Sequence, residues 1–218
     1  MAFIAVTGKR VSERLPNDGD AGSSPVLAAM STRTPRMSPM TDHDLIRRAE
    51  ALARRAHDGQ TRDDSSDPYI VHPGRVAARL AKRFPDDPSL AAAGWCHDVL
   101  EDCPQISAGE LRQTIGDDAF AVVSEVTNPS KQHPDLSRAE RKAMDRAHIA
   151  VISRRARCLK LADRADNLND GCTSPDREWL ATYVRESRAL FEVLVGTDAE
   201  LEADLAAAID RAAKTAGI

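Results

Sequence analysis

Four side chains that could bind a metal or move protons fall within six positions of the stretch WCHDVLEDC, residues 95–103. If the stretch is helical, as its interleaved Trp, Val and Leu residues indicate, His97 lies beside Glu101 at the i, i+4 spacing. Asp98 lies beside Asp102 in the same way. Carboxylates near a helix C-terminus face the negative end of the macrodipole, which is mildly destabilising. A bound divalent cation would neutralise them, so the stretch predicts a metal site.

Two other stretches each supply one further candidate ligand. His72 ends the apolar run of PYIVHP, and Asp163 lies in LKLADRADN, whose leucines and alanine at 161, 165 and 168 form an apolar helical face. Either residue alone is weak evidence, because a histidine beside a proline is more often structural and a helical aspartate is usually just exposed. Two histidines and two aspartates together form a nitrogen and oxygen ligand set. Such a set suits Mn, Fe or Zn better than Ca or Mg.

The composition excludes several classes of function. The chain has 218 residues, 42% hydrophobic and 29% charged, which is typical of one globular domain. A net charge of −4 gives no electrostatic reason to expect a nucleic-acid partner. The sequence has no apolar run of about 18 residues that could span a membrane, and no signal-peptide core of roughly 7–15 apolar residues, so we expect a cytoplasmic protein. The four cysteines lack CxxC spacing and are predicted to be free thiols.

The chain is predicted to consist of a leader and one helical domain. Residues 1–40 are rich in Gly, Ser, Pro and Thr without periodicity, which predicts a disordered leader that contains alternative start methionines. Residues 41–218 are predicted to form an all-α domain of eight or nine helices, starting at residue 42 and ending near residue 213. We find no alternating strand pattern and no internal repeat.

Proline positions and capping patterns predict where the helices begin. The second helix is predicted over Pro73–Phe84, which places His72 immediately before its first residue. The third helix is predicted over 89–103. A later helix should begin near Ser174, after the helix that contains Asp163 ends at a glycine. Residues with a side chain suited to capping a helix start are Thr41, Ser107, Ser137 and Thr197, the last three within capping-box patterns.

The order H…HD…D and four longer stretches carry a family resemblance. The stretches are AHDGQTRDDSSDPYIVHP (56–73), AGWCHDVLEDC (93–103), VTNPSK (126–131) and KLADRADNL (160–168). The ordered set resembles the HD-domain metal phosphohydrolases, and the longer stretches resemble the hydrolase domain of RelA/SpoT homologues. The stretch from Trp179 to Leu205 resembles the stand-alone, single-domain members of that family. The resemblance therefore implies a small alarmone hydrolase without a synthetase domain.

The resemblance also implies a metal centre and a reaction. The ligands of one metal would be His72, His97, Asp98 and Asp163. That metal is Mn in the family, with Fe, Zn or Co as other candidates. Glu101 and Asp102 match the family's acidic pair, which is expected to orient and deprotonate the attacking water. The implied reaction is hydrolysis of the ribose 3′-pyrophosphate of guanosine tetra- or pentaphosphate (ppGpp or pppGpp), which gives GDP or GTP plus pyrophosphate.

Substrate-contacting positions of the family are matched less well. The implied contacts are Arg62, Lys131, Asn167 and Tyr183. The loop before PYIVHP normally carries an Arg-Lys pair, whereas here the arginine is followed by Asp63 and Asp64. The lysine of VTNPSK is slightly displaced, and Trp179 occupies a position where an arginine is common. His57 also matches a family position, and we interpret it as structural support.

Two alternatives remain open at this point. The altered basic residues allow another phosphorylated nucleotide, such as NADPH or a dNTP, to be the substrate of the same chemistry. A non-catalytic nucleotide sensor with the same fold is the other alternative, although a sensor would not require Glu101 and Asp102. In each case the expected partner is a small nucleotide, without nucleic acid or membrane, and the chain could form a homo-oligomer.

Overall fold

The structure, a computed structural model, describes residues 41–62 and 66–218. The leader predicted over residues 1–40, and the acids Asp63 and Asp64, lie outside the described residues. Within them the chain forms nine α-helices and one 3-10 turn, with no strand. The helices are α1 Asp42–Ala56, α2 Val71–Arg83, α3 Pro88–Cys96, α4 Val99–Asp102, α5 Ala108–Val126, α6 Arg138–Ile149, α7 Arg154–Gly171, α8 Arg177–Leu194 and α9 Ala199–Ala216. The prediction of an all-α fold is confirmed.

Side-chain caps explain where several helices begin. The hydroxyls of Thr41, Ser107 and Ser137 each accept a hydrogen bond from the backbone N–H three residues later, as predicted. The prediction of a cap at Thr197 is wrong. Asp198, one residue later, caps α9, and its buried carboxylate also pairs with two arginines, so the charged group takes the position instead of the hydroxyl. A carboxylate accepts stronger hydrogen bonds than a hydroxyl does.

Two predicted boundaries differ from the observed ones, by two residues for α2 and by three for α8. Helix α2 begins at Val71 rather than Pro73, which leaves the proline within the first turn, where its missing N–H costs nothing. Helix α8 begins at Arg177 rather than at Ser174, because the carboxylate of Asp176 accepts the N–H of Trp179 and caps that start.

The prediction of one continuous helix over residues 89–103 is wrong, because the helix is interrupted at His97 and Asp98. Helix α3 ends at Cys96, and α4 is a single turn that begins at Val99. The carbonyl oxygen of Gly94 accepts a hydrogen bond from the His97 imidazole at 2.8 Å, and the helical ladder stops there. The carboxylates of this stretch therefore do not lie at the C-terminus of a long helix.

Helix α3 is the centre of the packing that supports this break. It packs against α1, α2, α5 and α7, and its residues Leu90 to Ala93 are buried, as is Cys96. The four described cysteines are free, as predicted, and three of them are buried. In the described part of the chain, no helix has both the length and the apolar character to cross a bilayer.

Glycine at position 94 permits the close approach of α3 to α2. A Cβ atom there would lie 2.9 Å from the backbone Cα of Ala77 and 3.1 Å from Leu80 Cδ1. We expect Gly94→Ala to lower the free energy of unfolding by about 1–3 kcal/mol, since backbone cannot move aside as a flexible side chain can. Denaturant unfolding measures this. The control Gly109→Ala, at an exposed site where the added Cβ would make only an ordinary contact with Ser107 Oγ at 3.9 Å, should change the free energy by less than about 1 kcal/mol.

Candidate metal centre

Three separate parts of the chain bring the four predicted ligands together. His72 lies in the first turn of α2, His97 and Asp98 form the break after α3, and Asp163 lies in α7. Ligand atoms of His72, His97 and Asp163 all lie within 4.8 Å of one another. Asp98 Oδ2 lies 3.1 Å from His97 Nε2 and 3.6 Å from His72 Nε2. Asp163 Oδ1 lies 3.3 Å from the same nitrogen of His72, so the four groups surround one point.

The buried imidazole nitrogens of this cluster fit a metal. His72 and His97 are 0% and 2% exposed, and neither Nε2 atom has a hydrogen-bond partner among the described residues. The Nδ1 atoms are engaged on the other side, His72 with Asp166 at 2.7 Å and His97 with the Gly94 carbonyl. When each Nδ1 carries the proton and donates it, the Nε2 lone pairs point into the cluster, which is the usual arrangement of metal-binding histidines.

The charges of the cluster also match a divalent cation. Burial opposes protonation of His97, but the carboxylates of Asp98 and then Asp163 raise its pKa well above the ordinary value. Burial likewise opposes ionisation of Asp163, but Lys160 and the imidazoles lower the pKa of this carboxyl well below its usual range. Both pKa shifts show that the cluster favours positive charge between its carboxylates and imidazoles. A divalent cation would supply that charge.

Several residues that the sequence analysis missed hold the ligands in place. Asp166 accepts from His72 Nδ1 and pairs with Arg75, whose guanidinium makes bonds of 2.8 and 2.9 Å to its carboxylate. Tyr69 donates its hydroxyl proton to Asp98 Oδ2 at 2.7 Å. The spacing contained a signal for both, because Tyr69 precedes His72 by three residues and Asp166 follows Asp163 by three.

Asp163 is held by two neighbours on its own helix. Lys160 is buried, and its Nζ lies 3.0 Å from Asp163 Oδ2. Asn167 donates from Nδ2 to Asp163 Oδ1 at 2.5 Å, which agrees with the prediction that these two side chains share a helical face. Each oxygen of Asp163 therefore has a fixed partner, which orients the carboxylate toward the histidines.

The acidic pair lies in α4, outside the group of metal-ligand candidates. Glu101 Oε1 accepts from the backbone N–H of Asn128 at 2.7 Å and from its side-chain amide at 3.0 Å. Lys131 Nζ lies 3.0 Å from Asp102 Oδ1 and 3.5 Å from Glu101 Oε2. The Glu101 side chain is 8% exposed and that of Asp102 is 35% exposed. The lysine predicted to contact substrate thus bridges both predicted proton acceptors.

Arg62 contacts residues that neighbour the metal-ligand candidates. Its Nη2 donates to Asn167 Oδ1 at 2.7 Å, its Nε lies 3.0 Å from Asp170 Oδ2, and its guanidinium lies 5.3 Å from the ring centre of Tyr69. Two residues predicted to contact substrate, Arg62 and Asn167, therefore bond to each other beside a predicted metal ligand.

The aromatic residues flank the cluster at two places. Tyr183 stacks on Trp179 with ring centres 5.1 Å apart, and the guanidinium carbon of Arg164 lies 4.6 Å from the centre of the Tyr183 ring. Burial, opposed by Arg164 and assisted by Asp163, raises the pKa of the Tyr183 hydroxyl above its ordinary value. His57 stacks on Tyr69 at 4.7 Å, in line with the structural role predicted for it.

The bond between Asp166 and His72 makes a testable contribution to metal binding. We expect Asp166→Asn to weaken metal affinity about 10–100-fold, because the amide removes the negative charge that fixes the imidazole orientation. Titration with Mn²⁺ of protein from which a chelator has removed the metal measures this affinity. Asp170→Asn is the matched control: Asp170 lies on the same helix and also pairs with Arg75, but it contacts no metal-ligand candidate. Equal losses in the two variants would contradict the role assigned to Asp166.

The fold is all-α and brings two histidines and two aspartates together at one buried point, where they could hold a metal ion. The chain belongs to the HD-domain family, since a family model described as HD domain matches residues 49–197.

Three proteins of similar sequence indicate which HD-domain proteins this chain resembles. Guanosine-3′,5′-bis(diphosphate) 3′-pyrophosphohydrolase MESH1 of Xenopus tropicalis is 31% identical over 171 residues, which cover 76% of this chain and 93% of that protein. The Vibrio cholerae serotype O1 guanosine-3′,5′-bis(diphosphate) 3′-pyrophosphohydrolase is 34% identical over 138 residues, 62% of this chain. The Escherichia coli K12 bifunctional (p)ppGpp synthase/hydrolase SpoT is 36% identical over 135 residues. The chain spans 19% of the length of each of these two bacterial relatives.

A solved structure has a similar fold. It is described as a metazoan ortholog of SpoT that hydrolyzes ppGpp and plays a role in starvation responses. The TM-score is 0.68 at 28% sequence identity, and the superposition covers 76% of this chain and 94% of the other.

Proposed function

We propose that the chain hydrolyses the 3′-pyrophosphate of ppGpp or pppGpp in a metal-dependent reaction and releases GDP or GTP plus pyrophosphate. The observation that carries this proposal is the buried cluster of His72, His97, Asp98 and Asp163, in which the two Nε2 atoms have no hydrogen-bond partner among the described residues. The likeness to MESH1, which extends over 93% of that relative, supports guanosine 3′-pyrophosphates as the substrate class.

The four clustered side chains would hold one divalent metal, which we propose to be Mn²⁺. The mixed imidazole and carboxylate set supports a borderline metal rather than Ca²⁺ or Mg²⁺. When bound, the metal supplies Lewis-acid chemistry, polarising a phosphoryl oxygen and acidifying a water molecule. The role of the chain is to fix the ligands, through Asp166 and the Gly94 carbonyl on the histidines and through Tyr69 and Lys160 on the carboxylates.

Glu101 and Asp102 would handle the proton of the attacking water. In the hydrolysis, the water oxygen forms a new bond to phosphorus and the bond between phosphorus and the ribose 3′ oxygen breaks. One proton of the water passes to a carboxylate of the pair, and the 3′ oxygen gains a proton as it leaves. Asn128 and Lys131 hold the carboxylates in position for this transfer, because each donates a hydrogen bond to one of them.

The substrate contacts would come from Arg62, Asn167, Lys131 and Tyr183. Arg62 and Asn167 bond to each other, so a nucleotide that enters must exchange that bond for contacts of its own. Tyr183 presents an aromatic ring near the cluster, and Lys131 adds a positive charge beside the acidic pair.

The proposal is tested by offering the Mn²⁺-loaded chain ppGpp, NADPH, GTP and dNTPs in parallel, and by measuring released pyrophosphate and phosphate. We expect pyrophosphate from ppGpp, and no release after chelation of the metal. Phosphate released from NADPH, or turnover of a dNTP alone, would instead support the alternative substrates. Binding of nucleotides without turnover of any of them would leave only the sensor.

The partner and location predictions belong to the same proposal. We propose a cytoplasmic protein that acts on a small nucleotide, and three buried free thiols support a reducing compartment. The absence of a nucleic-acid or membrane partner and the formation of a homo-oligomer stay predictions. Sedimentation of the purified chain measures the last of these.

A further inference from the structure

A positively charged cleft lies beside the candidate metal centre, between α6, α7 and α8. It contains about 350 Å³ of unfilled space, its open mouth included. Its charged lining consists of four cations, Lys142, Arg146, Lys160 and Arg164, and two acids, Asp145 and Glu186. We refer to these six residues as the basic cleft. Asn128 also lines it, and this residue holds Glu101, while Lys160 contacts Asp163, so the cleft adjoins both halves of the candidate site.

The two acids of the basic cleft are engaged elsewhere. Asp145 accepts hydrogen bonds from the backbone N–H and the hydroxyl of Ser130, at 3.2 and 2.9 Å. Glu186 accepts two hydrogen bonds from the guanidinium of Arg138, at 2.6 and 3.0 Å. Among the described residues, neither carboxylate therefore lies within ion-pair distance of a cation of the cleft.

Three of the cations have no ion-pair partner among the described residues: Lys142, Arg146 and Arg164. Arg164 is 9% exposed, and its Nε is a buried donor without a hydrogen-bond acceptor in the described part of the chain. Its one side-chain hydrogen bond runs from Nη1 to Ser187 Oγ at 3.3 Å. Burial, and then the charge of Arg164, lowers the pKa of Lys142, and the charges of Glu186 and Asp145 offset this only in part. A buried donor without an acceptor costs free energy, and a bound anion would satisfy it and neutralise the neighbouring cations.

We propose that the basic cleft binds a phosphate group of the nucleotide or of its product while the scissile phosphate lies at the metal centre. This inference rests on the proposed function for the identity of the ligand, but the charge arrangement itself calls only for a phosphate-class oxyanion. Two sources share that chemistry: the 5′-phosphates of the guanosine nucleotide and the pyrophosphate that hydrolysis releases. Two arginines and a lysine suit either, because guanidinium groups bind phosphate oxygens in pairs.

Calorimetry with the metal-loaded full chain tests the proposal, with GDP and inorganic pyrophosphate as separate probes. We expect Lys142→Met to weaken binding of at least one probe about tenfold or more, the loss of one charge-assisted hydrogen bond. Arg146→Met should act in the same direction. The matched control Lys214→Met, which removes an exposed lysine on α9, should leave both affinities unchanged. Thermal unfolding identifies a variant that fails to fold. If either Lys142→Met or Arg146→Met fails, the binding measured with the other variant tests the proposal.

Each outcome has a defined meaning. Weakened binding of GDP alone assigns the cleft to the 5′-phosphates, and weakened binding of pyrophosphate alone assigns it to the released product. Wild-type affinity for both probes in folded Lys142→Met and Arg146→Met, or no binding of either probe by the wild-type chain, overturns the inference. Turnover of ppGpp is measured separately. Turnover without an effect of the variants refutes this inference alone, and probe binding that depends on the cleft without turnover refutes the proposed reaction alone.

Discussion

Replacing Asp98 with alanine is expected to remove the metal and to lower hydrolysis of ppGpp by about 10³-fold or more, the scale of losing a catalytic metal centre. Asp98 Oδ2 faces the Nε2 atoms of both histidines, at 3.1 and 3.6 Å. Without this carboxylate one charged ligand is lost, and the hydroxyl of Tyr69 loses its acceptor. Metal content after dialysis and the rate of pyrophosphate release measure the two effects.

The fold should survive this substitution. Asp98 occupies the position before α4, but its side chain makes no capping hydrogen bond there, so alanine removes no cap. Asp86→Ala, an exposed aspartate in the turn before α3, is the control for loss of a carboxylate near the same helix. It should retain metal and activity. A metal-replete, active Asp98→Ala protein would remove Asp98 from the ligand set.

Glu101→Gln is expected to retain the metal and to lower kcat about 10²–10⁴-fold, the usual contribution of a general base. The amide keeps an oxygen that can accept from Asn128, as Glu101 Oε1 does, so the local structure should persist. It cannot take a proton from water. This separation of metal content from turnover distinguishes Glu101 from Asp98, whose loss should affect both.

The control for Glu101→Gln is Glu125→Gln. Glu125 also accepts a backbone hydrogen bond, from Ser153 at 2.8 Å, but it lies outside the cluster. We expect full activity in this variant. If Glu101→Gln retains both metal and wild-type kcat, the proton acceptor must be sought elsewhere, and Asp102→Asn would be the next variant to measure.

The sequence alone predicted the all-α fold and the identity of the clustered side chains. Helical periodicity is a local property, so the helix that carries Asp163 and its buried apolar face could be predicted without knowledge of the rest of the chain. The histidines and aspartates of the cluster could likewise be identified from the sequence, where they occur in the order H…HD…D. Local hydrogen bonds of caps at Thr41, Ser107 and Ser137 followed from the same short-range reasoning.

The helix break at His97 was decided by side-chain and packing interactions that periodicity does not contain. The interleaved apolar residues predicted one helix through the break, yet the Gly94 carbonyl bonds the His97 ring, and the close approach of α3 to α2 requires a glycine there. The cap of α9 moved by one residue for a related reason, since Asp198 is fixed by arginines from distant parts of the chain.

What the sequence by itself determined is which side chains are available for metal chemistry and on which helices most of them lie. Only the tertiary structure decided that His72, from a helix far along the chain from Asp163, places its Nε2 3.3 Å from that carboxylate. It also decided that Asp166 fixes the same histidine and that three cations without an ion-pair partner among the described residues meet beside α7. The physical reason is that hydrogen-bond partners and uncompensated charges depend on distances between helices, which local patterns do not specify.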